Sequence, residues 1–276
     1  MRYNASRGQF MPFLSGIAAR WVDCSHDKRW VAYTMLPDDT LWRSRPDGGE
    51  RLQLTSAPLR VYQPRWSPDG TRIVFEGGRA GAASRVYVIS ANGSSGRVPE
   101  TVTSTPAAER DPSWSPDGNF LLFARGLPGG TLSLCVMDWK TRKTELLPGS
   151  ERLSRPAWSP DPRYIAATDS AGSQILLFDF DSRQWTPLAT GAGLSPPFWS
   201  RDGKYVYYQD VLGGPEQPIF RVRIGNRGIE RMMDSRQLLQ SNVTGYTLNG
   251  LAPDDAPIAT LLRSNSDIYA LDVDLP

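Results

Sequence analysis

Histidine is almost missing from this chain: His26 is the only one in 276 residues. A Ser-His-Asp triad needs a histidine set between a carboxylate and an activated serine. His26 instead falls in a turn-like segment, Cys24-Ser25-His26-Asp27-Lys28, and no Gly-x-Ser-x-Gly elbow occurs anywhere. Metal hydrolysis resting on several histidines loses its ligands on the same count. Cysteine is nearly as scarce. Cys24 and Cys135 stand 111 residues apart with no Cys-x-x-Cys or Cys/His cluster, so zinc is not expected. Each cysteine sits in a predicted strand and reads as a small buried hydrophobe rather than half of a disulfide. No phosphate-cradling Gly-x4-Gly-Lys-Ser/Thr loop is present, and no cofactor is expected. No apolar run approaches the ~18 residues of a membrane span, and the amino-terminal MRYNASRGQF has no secretory apolar core. The expectation is a chain without membrane insertion, cytoplasmic as it stands, or periplasmic as part of a larger membrane-anchored parent. Net charge is only +2, from 31 basic and 29 acidic residues with no basic run, so no nucleic-acid contact is expected.

Turn formers, by contrast, are abundant. The 25 glycines and 23 prolines make up about one residue in six, above the usual proportion. Their distribution follows a repeat. Trp66-Ser67-Pro68-Asp69-Gly70 recurs as Trp114-Ser115-Pro116-Asp117-Gly118, as Trp158-Ser159-Pro160-Asp161-Pro162 and as Trp199-Ser200-Arg201-Asp202-Gly203. Weaker copies stand before, at Cys24–Lys28, and after, at Leu251-Ala252-Pro253-Asp254-Asp255. The aspartates at 27, 69, 117, 161, 202 and 254 are 42, 48, 44, 41 and 52 residues apart, the period of propeller blades.

Serine, proline and glycine at the first, second and fourth turn positions fit a type I turn, with serine and aspartate bonding nearby backbone. After each turn comes an apolar, β-prone run, such as Arg72-Ile73-Val74-Phe75 or Tyr205-Val206-Tyr207-Tyr208. A third run follows in phase, as in Arg85–Ile89 and Ile219–Val222, then a shorter polar one that suits an outer edge. The sequence therefore predicts one all-β domain over 1–276, a six-bladed β-propeller with four antiparallel strands per blade. The blades run over 15–55, 56–103, 104–147, 148–189, 190–233 and 234–276. The last blade contains only three such runs, ending at 268–273, and residues 9–13 read as its missing outer strand. An amino-terminal strand would thus close the ring. Trp66, Trp114, Trp158 and Trp199, three residues before Asp69, Asp117, Asp161 and Asp202, are expected to wedge between blades as core. Each of those aspartates is expected to stabilise its own turn, not a metal, since calcium needs six or more oxygens around one point.

The repeated Trp-Ser-Pro-Asp-Gly, followed by an apolar strand and an Ile-Tyr-like strand, resembles the TolB-like, WD-like propeller repeat. Stretches such as FMPFLSGIAARWVDCSHDKRWVAYTMLPDDTLWRSRPDGGERLQLT are also similar to the carboxy-terminal propellers of bacterial sensor proteins that carry a winged-helix or kinase domain. The resemblance covers essentially the whole chain. It implies the fold and, more loosely, recognition of a protein or small-molecule signal; the winged helix and membrane helix of those proteins are not in this sequence.

Ligands of propellers sit at a mouth of the central channel. The loops entering the inner strands hold Arg20, Tyr62, Gln63, Arg110, Asp111, Ser154, Arg155 and Tyr246. Arg20, Arg110 and Arg155 would make that mouth attractive to anions, unless neighbouring acids such as Asp111 pair with them. The loop Gln209–Pro218, with Gly213-Gly214-Pro215, is long enough to serve as a lid or a contact. The function expected is a non-catalytic binding or scaffold module, monomeric, with a protein partner, and no catalytic or metal residue is assigned. The alternative is the propeller part of a hydrolase, either a prolyl-oligopeptidase-like gate or a lactonase-like enzyme. The inner strands offer a lactonase mainly Asp23 and Asp111.

Overall fold

The computed structural model describes residues 1–14, 17–94, 98–238 and 243–263. Among them, six four-stranded antiparallel sheets form a six-bladed β-propeller. The amino terminus supplies β1 (Arg2–Asn4) and β2 (Gln9–Met11). The first blade runs from the channel outward as β3 (Ala19–Cys24), β4 (Val31–Met35), β5 (Thr40–Ser44) and β6 (Leu52–Gln53). The second is β7 (Arg60–Trp66), β8 (Arg72–Gly78), β9 (Arg85–Ser90) and β10 (Glu100–Thr101). The third is β11 (Glu109–Trp114), β12 (Phe120–Gly126), β13 (Leu132–Asp138) and β14 (Thr144–Leu146). The fourth is β15 (Leu153–Trp158), β16 (Tyr164–Asp169), β17 (Gln174–Asp179) and β18 (Gln184–Thr190). The fifth is β19 (Phe198–Trp199), β20 (Tyr205–Gln209), β21 (Ile219–Arg223) and β22 (Ile229–Met233). The sixth holds β23 (Val243–Leu251) and β24 (Pro257–Arg263), completed outward by β1 and then β2.

Ring closure differs in detail from the sequence expectation. Residues 9–11 are the outermost strand of the sixth blade, but they pair with Arg2–Asn4, and Arg2 stands opposite Ile258 of β24. The third position of that blade is thus filled from the amino terminus. The expected strand at 268–273 lies outside the described residues. Closure removes the unpaired edge that β24 would otherwise present.

The Ser-Pro-Asp-Gly turns form as their chemistry requires. The Gly70, Gly118 and Gly203 amides donate to the Ser67, Ser115 and Ser200 carbonyls at 2.9, 3.0 and 3.0 Å. Asp27, Asp69, Asp117 and Asp202 each accept the motif serine's hydroxyl and the amide two residues on. Asp69 takes the Ser67 hydroxyl at 2.5 Å and the Thr71 amide at 3.0 Å; Asp117 takes Ser115 at 2.6 Å and the Asn119 amide at 3.0 Å. The Ser25, Ser115 and Ser200 hydroxyls hold Asp27, Asp117 and Asp202 below the usual carboxylate range. In the third full copy Pro162 replaces glycine and has no N–H to give the Ser159 carbonyl; there the Ser159 hydroxyl contacts the Asp161 and Tyr164 carbonyls, and Asp161 accepts the Arg163 amide at 2.8 Å.

The apolar core is divided into clusters that lie between blades. Trp66 packs with Ala32 and Leu41 of the first blade, Trp114 with Val74 and Val86 of the second, and Trp158 with Leu122 and Leu134 of the third. Trp199 packs with Ala166 and Leu177 of the fourth. The Trp66 and Trp199 indoles also reach back to the preceding blade, donating to the Asp23 and Ala157 carbonyls at 3.2 and 2.9 Å. At the closing joint Gly250 approaches the Val22 carbonyl so closely that a Cβ would collide with it. Both cysteines are free, and burial pushes the Cys24 thiol up to about 12 and Cys135 up to about 11. Neither is a nucleophile near neutral pH.

Candidate functional site at the two ends of the channel

Four inner strands break register at one shared position. The ladder shifts between Arg20 and Asp23, Tyr62 and Arg65, Arg110 and Ser113, and Ser154 and Ala157. In each bulge one residue adopts a left-handed backbone: Trp21, Gln63, Asp111 and Arg155, with φ of 52°, 46°, 55° and 52°. All four stand six residues before a motif aspartate. A bulge leaves backbone groups without ladder partners, and buried N–H groups must find others. Here the preceding blade supplies acceptors. The Arg155 amide donates to Asp111 Oδ2 at 3.0 Å, Trp66 to Asp23 Oδ2 at 2.8 Å, Trp158 to Ser113 Oγ at 3.1 Å and Trp21 to Asn249 Oδ1 at 3.3 Å. The Gln63 side chain donates to Asp111 Oδ1 at 2.7 Å. Asp111 therefore ties the second, third and fourth blades together.

Strand two of several blades repeats the device. Seven residues after the motif aspartate stand Thr34, Glu76, Thr168 and Gln209. Thr34 and Thr168 donate to the Val61 and Ser195 carbonyls at 3.2 and 3.5 Å, and Gln209 exchanges bonds with the Tyr246 carbonyl and the Leu248 amide. Glu76 accepts the Asp111 amide at 3.4 Å. Burial, and then the negative charge of Asp111, push the Glu76 carboxyl up to about 7. A carboxyl raised in the folded state binds its proton more tightly there than in the unfolded chain. Stability therefore falls as pH rises from about 4.5 to about 7, by about 2–3 kcal/mol. Glu76→Gln keeps an oxygen for the Asp111 amide. Its melting temperature should match the parent at pH 4.5 and exceed it increasingly up to pH 8; equal melts at pH 8 would show that Glu76 carries no such penalty.

The structure brings most of the predicted mouth residues together, though largely engaged. Arg20 pairs with Asp39 at 2.5 Å, and its guanidinium lies 5.7 Å from the Tyr62 ring centre. Gln63, Asp111 and Arg155 form the joint described above, and the exposed Arg155 side chain donates to the Leu194 carbonyl at 3.1 Å. Arg110 is exposed and, among the described residues, has no hydrogen-bond or ion-pair partner. Tyr246 is not among them. It is buried between the fifth and sixth blades and donates its hydroxyl to the Gln217 carbonyl, which anchors the Gln209–Pro218 loop.

The opposite end, at the motif turns, opens into a cavity of about 320 Å³. Its inner tier takes one residue per blade, four before each motif aspartate: Asp23, Arg65, Ser113, Ala157, Phe198 and Gly250. Trp66, Trp158 and Trp199 contribute to its wall, and His26 and Arg201 reach it from the turns. Arg65 lies 5.7 Å from the Phe198 ring centre, from the blade opposite. Asp23 and Asp255 also line the cavity, each held by a backbone amide: Trp66 on Asp23, and Arg201 on Asp255 at 3.0 Å. Burial raises both carboxyls, while the Arg65 and Arg201 charges act against it at Asp23. Among the described residues no group of three or more His, Cys, Asp or Glu side chains is placed to hold a metal, and no helix is long and apolar enough to cross a membrane. The sequence signal for this cavity was the four-residue offset from the motif, which the mouth residues at offsets of six and seven obscure.

No protein-family model matches the sequence. An 89-residue segment is 30% identical to an uncharacterized peptidase, YuxL, of Bacillus subtilis, covering 32% of this chain and only 13% of that protein. Among solved structures, the putative TolB from Agrobacterium tumefaciens superposes with a TM-score of 0.72 at 19% identity, over 96% of this chain and 97% of that one. TolB from Acinetobacter baumannii gives 0.65 at 20% identity, over 80% of this chain and 55% of that one. At these identities the likeness establishes a TolB-like six-bladed propeller fold, and function must be argued from the site.

Proposed function

We propose that the chain is a non-catalytic binding module, a rigid ring that recognises a protein or small ligand at the ends of its channel. One observation carries this reading. The channel's polar side chains are committed to joining blades, and the groups left over are recognition groups: Arg110 at one end, Arg65 and Arg201 at the other. Among the described residues no hydroxyl or thiol is hydrogen-bonded to a histidine, and His26 is exposed on a turn. The TolB-like fold is consistent with service as the sensory or docking part of a bacterial signalling or envelope protein. A second reading, part of a hydrolase, has two supports: the short likeness to YuxL, and Glu76, whose raised carboxyl resembles a general acid. Glu76, however, holds the place taken by threonine or glutamine in the first, fourth and fifth blades and likewise bonds to the next blade. The test is capture by the intact chain from its native organism, with metal analysis and thermal melts with and without calcium. A saturable partner weakened by Arg110→Ala with Arg155→Ala, or by Arg65→Gln with Arg201→Gln, supports a binding module. A large calcium-dependent stabilisation, or hydrolytic turnover lost in Glu76→Gln, overturns it.

A further inference from the structure

The turn-side cavity departs from the repeat at one telling place. Four turns carry proline just before the motif aspartate, Pro68, Pro116, Pro160 and Pro253, while the first carries His26 and the fifth Arg201. Proline pre-sets that position, so arginine there gives up turn stability. The substituted side chain lines the cavity, as does Arg65 from the inner strand. Neither guanidinium has a hydrogen-bond or ion-pair partner among the described residues, and that of Arg65 lies near the Phe198 ring. Asp23 and Asp255 attract these guanidiniums through space, Asp23 both and Asp255 Arg201, but neither makes an ion pair with them, and Asp23 Oδ2 and Asp255 Oδ1 each accept a backbone amide. Small residues at Ser113, Ala157 and Gly250 keep the rest of the tier open. The space of about 320 Å³ lies within the range that holds a small ligand.

We infer that this cavity binds a small organic acid, its carboxylate held between Arg65 and Arg201 and its apolar body against Phe198 and the turn prolines. Arginine is the side chain suited to the purpose, since its planar fork matches a carboxylate and tolerates an aromatic neighbour. This site rests on the binding-module reading and gives it a ligand class.

The experiment is calorimetric titration of the intact chain with benzoate and with its neutral isostere, benzamide. Benzoate should saturate one site, and benzamide should bind about tenfold more weakly or worse. Arg65→Gln and Arg201→Gln should each lower benzoate affinity about tenfold or more, while Arg183→Gln, on the exposed turn between β17 and β18, leaves it unchanged. Arg65→Lys and Arg201→Lys keep the charge and should retain part of the affinity. Thermal melts of all variants identify any that fail to fold, and for these the lysine pair decides the outcome. Absence of benzoate binding, equal affinity for benzamide, or indifference to both arginine positions overturns the site. Partner capture that persists while benzoate fails to bind removes this inference alone. Loss of both removes the binding-module reading as well.

Discussion

Removal of residues 1–11 is expected to lower the melting temperature by roughly 10–20 °C and to promote self-association. The amino-terminal strands are the outer half of the sixth blade. Tyr3 is buried with Tyr246 and Phe198, and its ring meets Phe10 edge-on at 5.5 Å. Burying two aromatic side chains of this kind stabilises the fold by about 3–6 kcal/mol. Deletion also exposes the outward edge of β24, whose backbone then seeks another strand. Size-exclusion chromatography beside a thermal melt reads both effects. The double variant Tyr3→Ala, Phe10→Ala separates them: it should lower the melting temperature without the self-association, since the β1 backbone still covers the edge. An unchanged melt in the truncated chain would mean that another segment can occupy that edge, and the latch described here would not be what closes the ring.

Much of this architecture could be read from one repeated pentapeptide. Its spacing set six blades, its residue types set the turn, and its tryptophan marked where blades meet. The closing strand was harder to read. Arg2–Asn4 is three residues long and partly polar, so it has no periodicity to distinguish it from a loop. Residues 268–273 fit the pattern of a third strand better, and only the ring's geometry places Arg2 against Ile258. The channel was legible in part for the same reason. The segments leading into the inner strands pointed to Gln63, Asp111 and Arg155, but they could not show that Asp111 accepts from both neighbours. That depends on the offset between blades. Tyr246, read as part of an entering loop, lies inside β23, which shifts register between Val243 and Gly245 and again between Leu248 and Gly250. The turn-side cavity needed a count of four residues back from the motif aspartate, together with the one turn where arginine displaces proline.

The buried ion pair of the third blade offers the other large effect. Glu109 is fully buried, and its Oε1 accepts Arg125 Nη2 at 3.0 Å and Nε at 3.3 Å. The Thr103 hydroxyl lies 2.8 Å from both carboxylate oxygens, and Glu109 and Arg125 face each other directly across β11 and β12. Removing one partner of such a pair leaves a charge in a medium that solvates it poorly, at a cost of about 3–5 kcal/mol. Arg125→Met preserves most of the side-chain volume and should destabilise the chain by that amount in chemical denaturation at pH 7. The penalty should shrink as pH falls, because the stranded carboxylate can take a proton and shed its charge. Adding Glu109→Gln to the variant removes the charge altogether and keeps an acceptor for Thr103, so the double variant should recover most of the loss. This pattern distinguishes desolvation from packing. If Arg125→Met and the double variant were equally unstable at every pH, the contact of Arg125 with Phe123, whose ring centre lies 5.3 Å away, would be the part that matters.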